Sequence, residues 1–544
     1  MPQMELEELI RVARGDQLAD LLLTNCRLIN VYSGEIAETQ VAIAGNKIAG
    51  IGPGYRAKET LDLSGRYLCP GFINAHVHVE SSMVTPIEYA RAVVPRGTTT
   101  AVSDPHEIAN VCGLAGIHYM LNVARHAPMT ILANASSCVP ATHMSTAGAR
   151  LAAEDLIALR NDPRIIGLAE MMNYPGVVMA MPDVLSKVRA FAGRPIDGHA
   201  PGLSGQQLNA YIAAGIGSDH ECVSVPEAKE KLGLGMYLLI REGTTAHNLA
   251  GLLPAVTPSN ARRCCFCTDD RHPADLLDEG DVDVLVRGAI AGGLDPITAI
   301  RMATLNTAEW FRLWDRGGIA PGKRADMLAF RDLNDLRAEL VFVGGRLVAR
   351  NQAMVVKQTP VSIDDSAVRN TVRVDWDTVN LHVAASGATS HMRVIGAIGD
   401  QVITEHLIIE PTVCGGAAVA DPGRDLLKMA VIERHHGTGN VGLGFVRGIG
   451  LQRGALATTV GHDHHNLIVI GADDVSMLTA AKAVARMGGG EAVAVGEELL
   501  QTLALPIAGL MSDRPLDEVR TQQSAMLKEA AELGCPLHDP FMTI

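Results

Sequence analysis

The feature that most constrains this chain is a pair of histidines, His76 and His78, within the apolar stretch PGFINAHVHVESS at residues 70–82. Residues two apart point to the same face of a strand, so both imidazoles face one side of a predicted buried strand. Either histidine alone is explained by an ordinary hydrogen-bond partner in the core. Together they crowd one another, and a shared cation satisfies both because neutral imidazole is a good ligand for borderline metals.

Eight short apolar runs, beginning with that stretch, alternate with segments of helical length. The runs are GFINAHVH, TTTAVSD, MTILANAS, RIIGLAEM, PIDGHA, GIGSDH, MYLLIRE and RCCFCTDD. Eight parallel strands in roughly 240 residues is the size of a (β/α)8 barrel. We therefore predict an α/β protein whose TIM-like barrel occupies residues 71–315.

The segments on either side of the predicted barrel have the alternating texture of antiparallel strands. Residues 1–70 begin with a charged, helix-like stretch and continue as strands separated by Asn and Gly turns, and residues 316–365 return to this texture. We expect the two segments to complete one small β-sandwich domain. Residues 366–544, with helical stretches near 475–487 and 515–533, are predicted to form a C-terminal α+β domain.

Composition excludes several classes of function. A net charge of −14 argues against a basic surface for nucleic acid, and no apolar run reaches the length of a membrane span. The N-terminus lacks the apolar core of a signal peptide, and the ten cysteines follow no disulfide framework. We expect a soluble cytoplasmic protein with reduced thiols and a small-molecule partner.

Several of the predicted strands end in residues able to bind a metal. These residues are Asp104, Glu170, His199, His220 and Asp269. The active site of a barrel collects side chains from the carboxyl ends of different strands, so we expect these groups to meet His76 and His78. Glu170 alone is explained by an ion pair and Asp269 by a helix cap, but the joint pattern predicts a metal centre.

This arrangement resembles the amidohydrolase superfamily, with His-x-His on the first strand, an acid on the fourth, histidines on the fifth and sixth, and aspartate on the eighth. The flanking stretches PGFINAHVH and GGIAPGKRADMLAF are similar to that superfamily's approach to its barrel and its return to the small β domain. The closer resemblance is to the adenine deaminase family, through HVHVESSMVTP, TTTAVSDPHEIANVCG, GLAEMMNYPGV and HDHHNLIVIG, and through the extra C-terminal domain.

The resemblance implies hydrolytic deamination of adenine to hypoxanthine and ammonia, a purine-salvage reaction, at two divalent ions. It assigns one ion to His76, His78, Glu170 and Asp269, and the other to Glu170, His199 and His220. Glu170 stands where many superfamily members have a carboxylated lysine. Manganese or ferrous iron is favoured, zinc also suits an imidazole and carboxylate set, and a homodimer is expected.

The implied chemistry is attack on C6 of the purine by a hydroxide that the two ions share. Asp269 would act as general base and then general acid, next to His220. Protonation of the purine ring falls to His106, Glu107 or Glu221, which the sequence does not rank. Asp104 or Glu107 is expected to add a ligand or a hydrogen bond to a metal-bound histidine, and the alternative for this run is a helix-capping aspartate with solvated neighbours.

The remaining predicted substrate contacts are Glu80, Ser81, His106 and His464. The run His462-Asp463-His464-His465 allows three interpretations, which are a loop approaching the substrate, an auxiliary metal site and an ordinary polar loop.

Parts of the sequence are compatible with three other functions. A cyclic amidohydrolase would use the same metals to open a ring amide, as in a hydantoin or dihydropyrimidine. A non-catalytic relative would keep the barrel as an assembly scaffold, but such proteins usually lose ligands. The CxxC of Cys264 to Cys267 and the HxE of His78 and Glu80 echo the zinc signature of cytidine-type deaminases, but their spacing is wrong and the cysteines lie in a predicted buried strand.

Overall fold

The N-terminal segment forms a helix followed by five strands of a mixed sheet. A computed structural model describes residues 5–144, 146–357, 361–385, 391–399, 401 and 403–544. The elements of this first segment are α1 (Leu6–Ala13), β1 (Ala19–Asn30), β2 (Glu35–Ala44), β3 (Lys47–Ile51), β4 (Ala57–Asp62) and β5 (Tyr67–Pro70).

All eight predicted barrel strands are present and pair in parallel, with β6 to β10 in one run and β11 to β13 in a second. The strands are β6 (Phe72–Val77), β7 (Thr98–Ser103), β8 (Thr130–Ala135), β9 (Ile165–Met171), β10 (Ile196–Gly198), β11 (Ser218–Asp219), β12 (Tyr237–Arg241) and β13 (Cys264–Cys267). Every residue of β6 and β7 is buried, as expected where helices cover the outer face of a parallel sheet.

The two runs of strands are joined at both edges. At one edge, the amide of Asp269 donates to the carbonyl of His76 at 3.0 Å, just beyond the end of β13. At the other, the amide of Gly217 donates to the carbonyl of Ile196 at 3.0 Å. The predicted barrel is therefore confirmed, and its closure brings the ends of β6 and β13 together.

Helices connect the barrel strands and cover them. They are α2 (Pro86–Val93), α3 (His106–Ala124), α4 (Ala153–Leu159), α5 (Tyr174–Val178), α6 (Pro182–Ala190), α7 (Gly205–Ala213), α8 (Val225–Gly233), α9 (Leu249–Leu252), α10 (Pro273–Asp278), α11 (Val282–Ala291), α12 (Pro296–Met302) and α13 (Leu305–Trp310). In the described parts of the chain, no helix combines the length and the apolar character that crossing a bilayer requires.

After the barrel, the chain returns to the first sheet with β14 (Met327–Phe330), β15 (Leu340–Val343), β16 (Arg346–Arg350) and β17 (Ala353–Met354). Antiparallel pairing of β14 with β5 joins both segments in one nine-stranded sheet. Ile48 of β3 also exchanges backbone hydrogen bonds with Gly322 and Lys323, at 2.8 Å each, so the sheet curls around a core of its own. The segments join as predicted, while the exact domain boundaries stay a prediction.

The C-terminal part contains an eight-stranded sheet in the order β19-β18-β23-β22-β25-β24-β26-β27. Its strands and a separate β20–β21 hairpin are β18 (Met392–Ala397), β19 (Thr404–Ile409), β20 (Thr412–Cys414), β21 (Ala417–Val419), β22 (Leu427–Ile432), β23 (Val441–Arg447), β24 (Ala455–Thr458), β25 (Leu467–Gly471), β26 (Gly490–Val495) and β27 (Glu498–Ala504). Its helices are α14 (Asp474–Arg486), α15 (Leu516–Glu532) and α16 (Pro540–Thr543), and α14 and α15 confirm the two predicted helical stretches.

A buried polar cluster connects the C-terminal part to the barrel. His272, in the segment after β13, lies 2.6 Å through Nδ1 from Asp539, which caps α16, and 2.9 Å from Gln523 of α15. Glu491 of β26 is 1% exposed, and neither of its carboxyl oxygens has a hydrogen-bond partner among the described residues. Burial and the charge of Asp539 raise the pKa of Glu491 to about 8, although His272 opposes the shift.

This shift predicts that Glu491 makes folding stability fall as pH rises. The folded chain keeps the proton of Glu491 up to a pH of about 8, whereas the unfolded chain loses it near pH ~4.3. The free energy of unfolding therefore decreases between these two pH values, and the full decrease is reached above the higher one. We expect Glu491→Gln to match the wild type at low pH and to be more stable by about 1–3 kcal/mol above pH ~8, as measured by thermal melting across this range.

Glu498→Gln, an exposed change on the neighbouring strand β27, serves as the control and should leave the pH dependence unchanged. The prediction would be contradicted if the difference in melting temperature between the wild type and Glu491→Gln were the same at every pH.

Candidate metal centre

The barrel brings the predicted ligands together at the carboxyl ends of its strands. Each lies within the last residues of a strand or directly after it, and the positions are His76 in β6, His78 after it, Glu170 in β9, His199 after β10, His220 after β11 and Asp269 after β13. Asp269 adopts a left-handed backbone conformation, with φ of 58°, in the turn that leaves β13. Closure of the barrel thus places side chains from five different strands together at the carboxyl end of the barrel.

One group of donor atoms surrounds His76 and His78. Their Nε2 atoms lie 3.1 Å apart, and Asp269 Oδ1 is 3.4 Å from the first and 3.0 Å from the second. Glu170 Oε1 lies 3.5 Å and 3.2 Å from the same two nitrogens. These four side chains therefore direct their donor atoms at one point.

The other oxygen of Glu170 faces a second group. Glu170 Oε2 lies 2.6 Å from His199 Nδ1 and 3.3 Å from His220 Nε2. The two oxygens of a single buried carboxylate are thus divided between two sets of imidazoles.

The tautomer of His78 supports metal binding. Its Nδ1 lies 3.0 Å from the carbonyl oxygen of Asp104, which can only accept, so Nδ1 carries the proton and Nε2 presents a lone pair to the cluster. The whole donor set consists of imidazole and carboxylate without thiolate, which fits manganese, iron or zinc. The residues present therefore fit divalent cations.

Electrostatics in the cluster favours the carboxylate form of the acids. Burial alone would raise the pKa of Glu170, but His220 and His199 hold it well below its usual range. Burial acts on Asp269 in the same direction, and the hydrogen bonds of His76 and His78 together with the charge of Arg241 hold its pKa well below normal. Both acids are ready to bind cations as anions.

Asp104 lies behind the cluster. Its Oδ1 accepts a hydrogen bond from Ser136 at 3.1 Å, and its Oδ2 lies 2.9 Å from His106 Nδ1. His106 Nδ1 is also 3.4 Å from Glu170 Oε1, and its Nε2 is 3.1 Å from Glu107 Oε1. The structure brings the Asp104, His106 and Glu107 run next to the predicted ligands, while the division of roles among them stays a prediction.

Arg241, at the end of β12, is a site residue that the sequence analysis missed. It is 3% exposed, and its guanidinium donates to both oxygens of Glu221 and, at 2.7 Å, to Asp269 Oδ2. The run MYLLIRE includes this arginine near its end, but arginine is not a metal ligand, so a pattern of ligands at strand ends does not indicate it.

The C-terminal part contributes a loop between β24 and β25. His462 Nδ1 lies 2.6 Å from Glu107 Oε1, and His465 Nε2 contacts Glu107 Oε2. Asp463 Oδ1 is 3.5 Å from His106 Nε2. The run containing these residues was singled out in the sequence, but of its residues only His464 was predicted to contact the substrate, and the partners across the barrel were not foreseen.

A cavity of about 230 Å³ opens beside the cluster. The barrel lines it with His78, His106, Glu107, Glu170, Met172, His199, His220, Glu221, Arg241, Gly243, Thr245, Ala246, Asp269 and Asp270. The C-terminal part lines it with Ala397, Ile398, Gln401, Thr404, His462, Asp463, Met542 and Thr543. A small ligand in this cavity would be enclosed by both parts of the chain.

Three predicted substrate contacts lie outside this described lining. Glu80 is buried behind it and accepts from the amide of Ile108 at 3.2 Å. Ser81 donates to Asp270, and the ring of His464 faces the carbonyl of Thr142 at 3.4 Å. A direct contact of these three with substrate stays a prediction.

Comparison with protein families finds two matches along the chain. The model of the amidohydrolase family matches residues 67–348, and the model of the adenine deaminase C-terminal domain matches residues 401–544.

Curated relatives match almost end to end. A protein of Desulfatibacillum aliphaticivorans named adenine deaminase is 50% identical over 540 residues, covering 99% of this chain and 94% of its own. A protein of Carboxydothermus hydrogenoformans named adenine deaminase 2 is 48% identical over 541 residues, with the same coverage of 99% and 94%. Among solved structures, one described as an adenine deaminase has a TM-score of 0.47 at 20% identity, covering 60% of this chain and 99% of its own.

The divided carboxylate predicts the metal content of the protein. We expect about two equivalents of divalent metal per chain, and we expect Glu170→Gln to lose at least one because an amide offers a single, weaker oxygen ligand. Elemental analysis after dialysis measures both. Glu230→Gln, which changes a carboxylate that accepts from the amide of Gly205 near the surface, is the control, and full occupancy in Glu170→Gln would refute the role of Glu170 as a ligand shared by two ions.

Proposed function

The chain belongs to the adenine deaminase family of the amidohydrolases, and from this premise we propose that it hydrolyses adenine to hypoxanthine and ammonia in purine salvage. Water adds to C6 of the purine, the C6–N bond breaks, and the amine leaves as ammonia. The proposal rests on the position of Glu170, whose two oxygens face two sets of imidazoles. The cavity beside it has the volume of a small ligand such as a purine base.

Amidohydrolases depend on metal, and we assign one divalent ion to His76, His78, Glu170 and Asp269 and a second to Glu170, His199 and His220. The convergence of these donor atoms supports the assignment. When bound, such a pair supplies a water molecule that is nucleophilic at neutral pH. Manganese or ferrous iron is our proposal for the native metal, with zinc as the alternative.

We assign the main proton transfer to Asp269. It takes the proton of the attacking water and returns it to the departing amine, as general base and then general acid. Arg241 holds Asp269 Oδ2 at 2.7 Å, so that Oδ1 stays turned toward His76 and His78. The carboxylate is thereby fixed with one oxygen tied and the other available.

For protonation of the purine ring we favour His106 with Glu107 beside it. His106 lines the cavity, and its buried Nε2 makes no hydrogen bond within the described part of the chain, although Glu107 Oε1 is 3.1 Å away. Burial alone would lower the pKa of His106, but Glu107 and Asp104 raise it well above its usual value. Glu221, in contrast, accepts from Arg241 through both oxygens and is placed to accept from the substrate.

The cysteines bear on the cellular location of the enzyme. All ten cysteines, each in a described part of the chain, are free thiols, which supports a cytoplasmic location. The homodimer implied by the superfamily stays a prediction, and light scattering would test it.

The proposed reaction predicts a specific substrate profile. The metal-loaded protein should convert adenine to hypoxanthine with release of ammonia. It should not open the rings of hydantoin and dihydroorotate, because the relatives are named as deaminases, which release an amine and leave the ring intact. Absorbance of the purine and an ammonia assay follow the first reaction, and chromatography follows ring opening. A chelator should abolish turnover, and added manganese should restore it. Ring opening without ammonia release would instead favour the cyclic amidohydrolase.

The role of Asp269 predicts the effect of its amide. Asp269→Asn should lower kcat for adenine by about 10²–10⁴-fold, since an amide cannot carry the proton to the departing amine. Steady-state kinetics on metal-saturated protein measures this loss. Asp278→Asn, at an exposed carboxylate paired with Arg520, is the matched control. Wild-type kcat in Asp269→Asn would refute the assignment.

A further inference from the structure

The C-terminal domain reaches into the candidate active site through one loop. We propose that His462 and His465 of this loop are positioning residues, which hold Glu107 beside His106 at the substrate. The inference rests on the proposed function, because Glu107 and His106 matter only as a pair that acts on the bound purine.

Glu107 is a buried carboxylate that depends on partners from another part of the chain. It is 1% exposed, at the second residue of α3. His462 Nδ1 lies 2.6 Å from one of its oxygens, and His465 Nε2 contacts the other. Without these donors a buried anion would be left with far less compensation for its lost hydration, so its position depends on the loop.

Hydrogen bonds within the C-terminal domain fix the backbone of the loop. His465 is fully buried, and its carbonyl accepts from the guanidinium of Arg434, which is also fully buried. Arg434 further donates to the carbonyl of Ala508 at 3.0 Å and to the hydroxyl of Thr371 at 2.9 Å. A residue that positions another must have a fixed backbone, and these bonds provide it.

The contacts of His462 and His465 with Glu107 are assigned as hydrogen bonds. His462 Nδ1 and Glu107 Oε1, at 2.6 Å, are at hydrogen-bond distance. Distance alone does not distinguish them from ligands of a third cation, because His199 Nδ1 and Glu170 Oε2 in the candidate metal centre are also 2.6 Å apart. The metal content of His465→Ala distinguishes the two.

The loop also forms part of the cavity wall. His462 and Asp463 line the cavity from the C-terminal side, and Asp463 Oδ1 lies 3.5 Å from His106 Nε2. The pair of Glu107 and His106 is thus enclosed between the barrel and the loop. The C-terminal domain then forms part of the active site, because it orients Glu107 and His106, which the barrel supplies.

The test uses the full, metal-saturated chain with adenine as substrate. We expect His465→Ala to lower kcat about 10–100-fold, the usual cost of removing a partner that orients a functional group, with little change in KM. His465→Gln, whose amide nitrogen can replace Nε2, should recover most of the loss. His462→Ala and His462→Asn form the same pair of changes for the Nδ1 contact.

The matched control is His436→Ala. His436 is an exposed histidine of the C-terminal domain that also meets the barrel, through the carbonyl of Ala147 at 3.2 Å. This variant should keep wild-type kcat. Thermal melting and metal content are measured on every variant, because a role in folding alone would change the melting temperature without recovery in the conservative variants.

Wild-type kcat in His465→Ala and His462→Ala would overturn the inference. So would the loss of one metal equivalent in His465→Ala, which would show a cation site. If His465→Ala does not fold, His462→Ala and the two conservative variants decide the question. An inactive wild type would refute the proposed function itself, whereas an active wild type with fully active histidine variants would refute only the positioning role.

Discussion

The molecule is organised around one buried carboxylate that two groups of imidazoles share. Glu170 is 2% exposed, and its oxygens face His78 on one side and His199 on the other. Burying this many ionisable groups away from water costs free energy unless each is paired with another group or binds a cation. The eight-stranded barrel meets this requirement because it delivers these groups from the ends of five different strands, with the backbone hydrogen bonds of the strands as rigid support.

Two further layers of charge surround that centre. Arg241 ties Glu221 to Asp269 on one side, and Glu107 ties the barrel to His462 and His465 on the other. Each layer couples a group at the cavity to a residue remote in sequence. The cavity is therefore a product of the barrel and the C-terminal domain together.

Much of this arrangement was predictable from short-range pattern. The barrel strands were recognisable because buried parallel strands are continuous apolar runs, and Glu170 and His220 were recognisable because barrels collect ligands at strand ends. Arg241 was missed because it binds no metal and acts only through its partners. The contact of His465 with Glu107 spans 358 positions, and no periodicity in a sequence reports which loop of one domain meets which helix of another.

The nine-stranded sheet has a consequence for the order in which the chain assembles. Strand β5 precedes the barrel and pairs with β14, which follows it, so Leu68 meets Ala329 only after the whole barrel has left the ribosome. Loop closure over such a distance makes this pairing an intrinsically slow step. Until then, the first segment of the nascent chain exposes one unpaired edge of β5, whose other edge pairs with β1, and an open strand edge favours aggregation during synthesis.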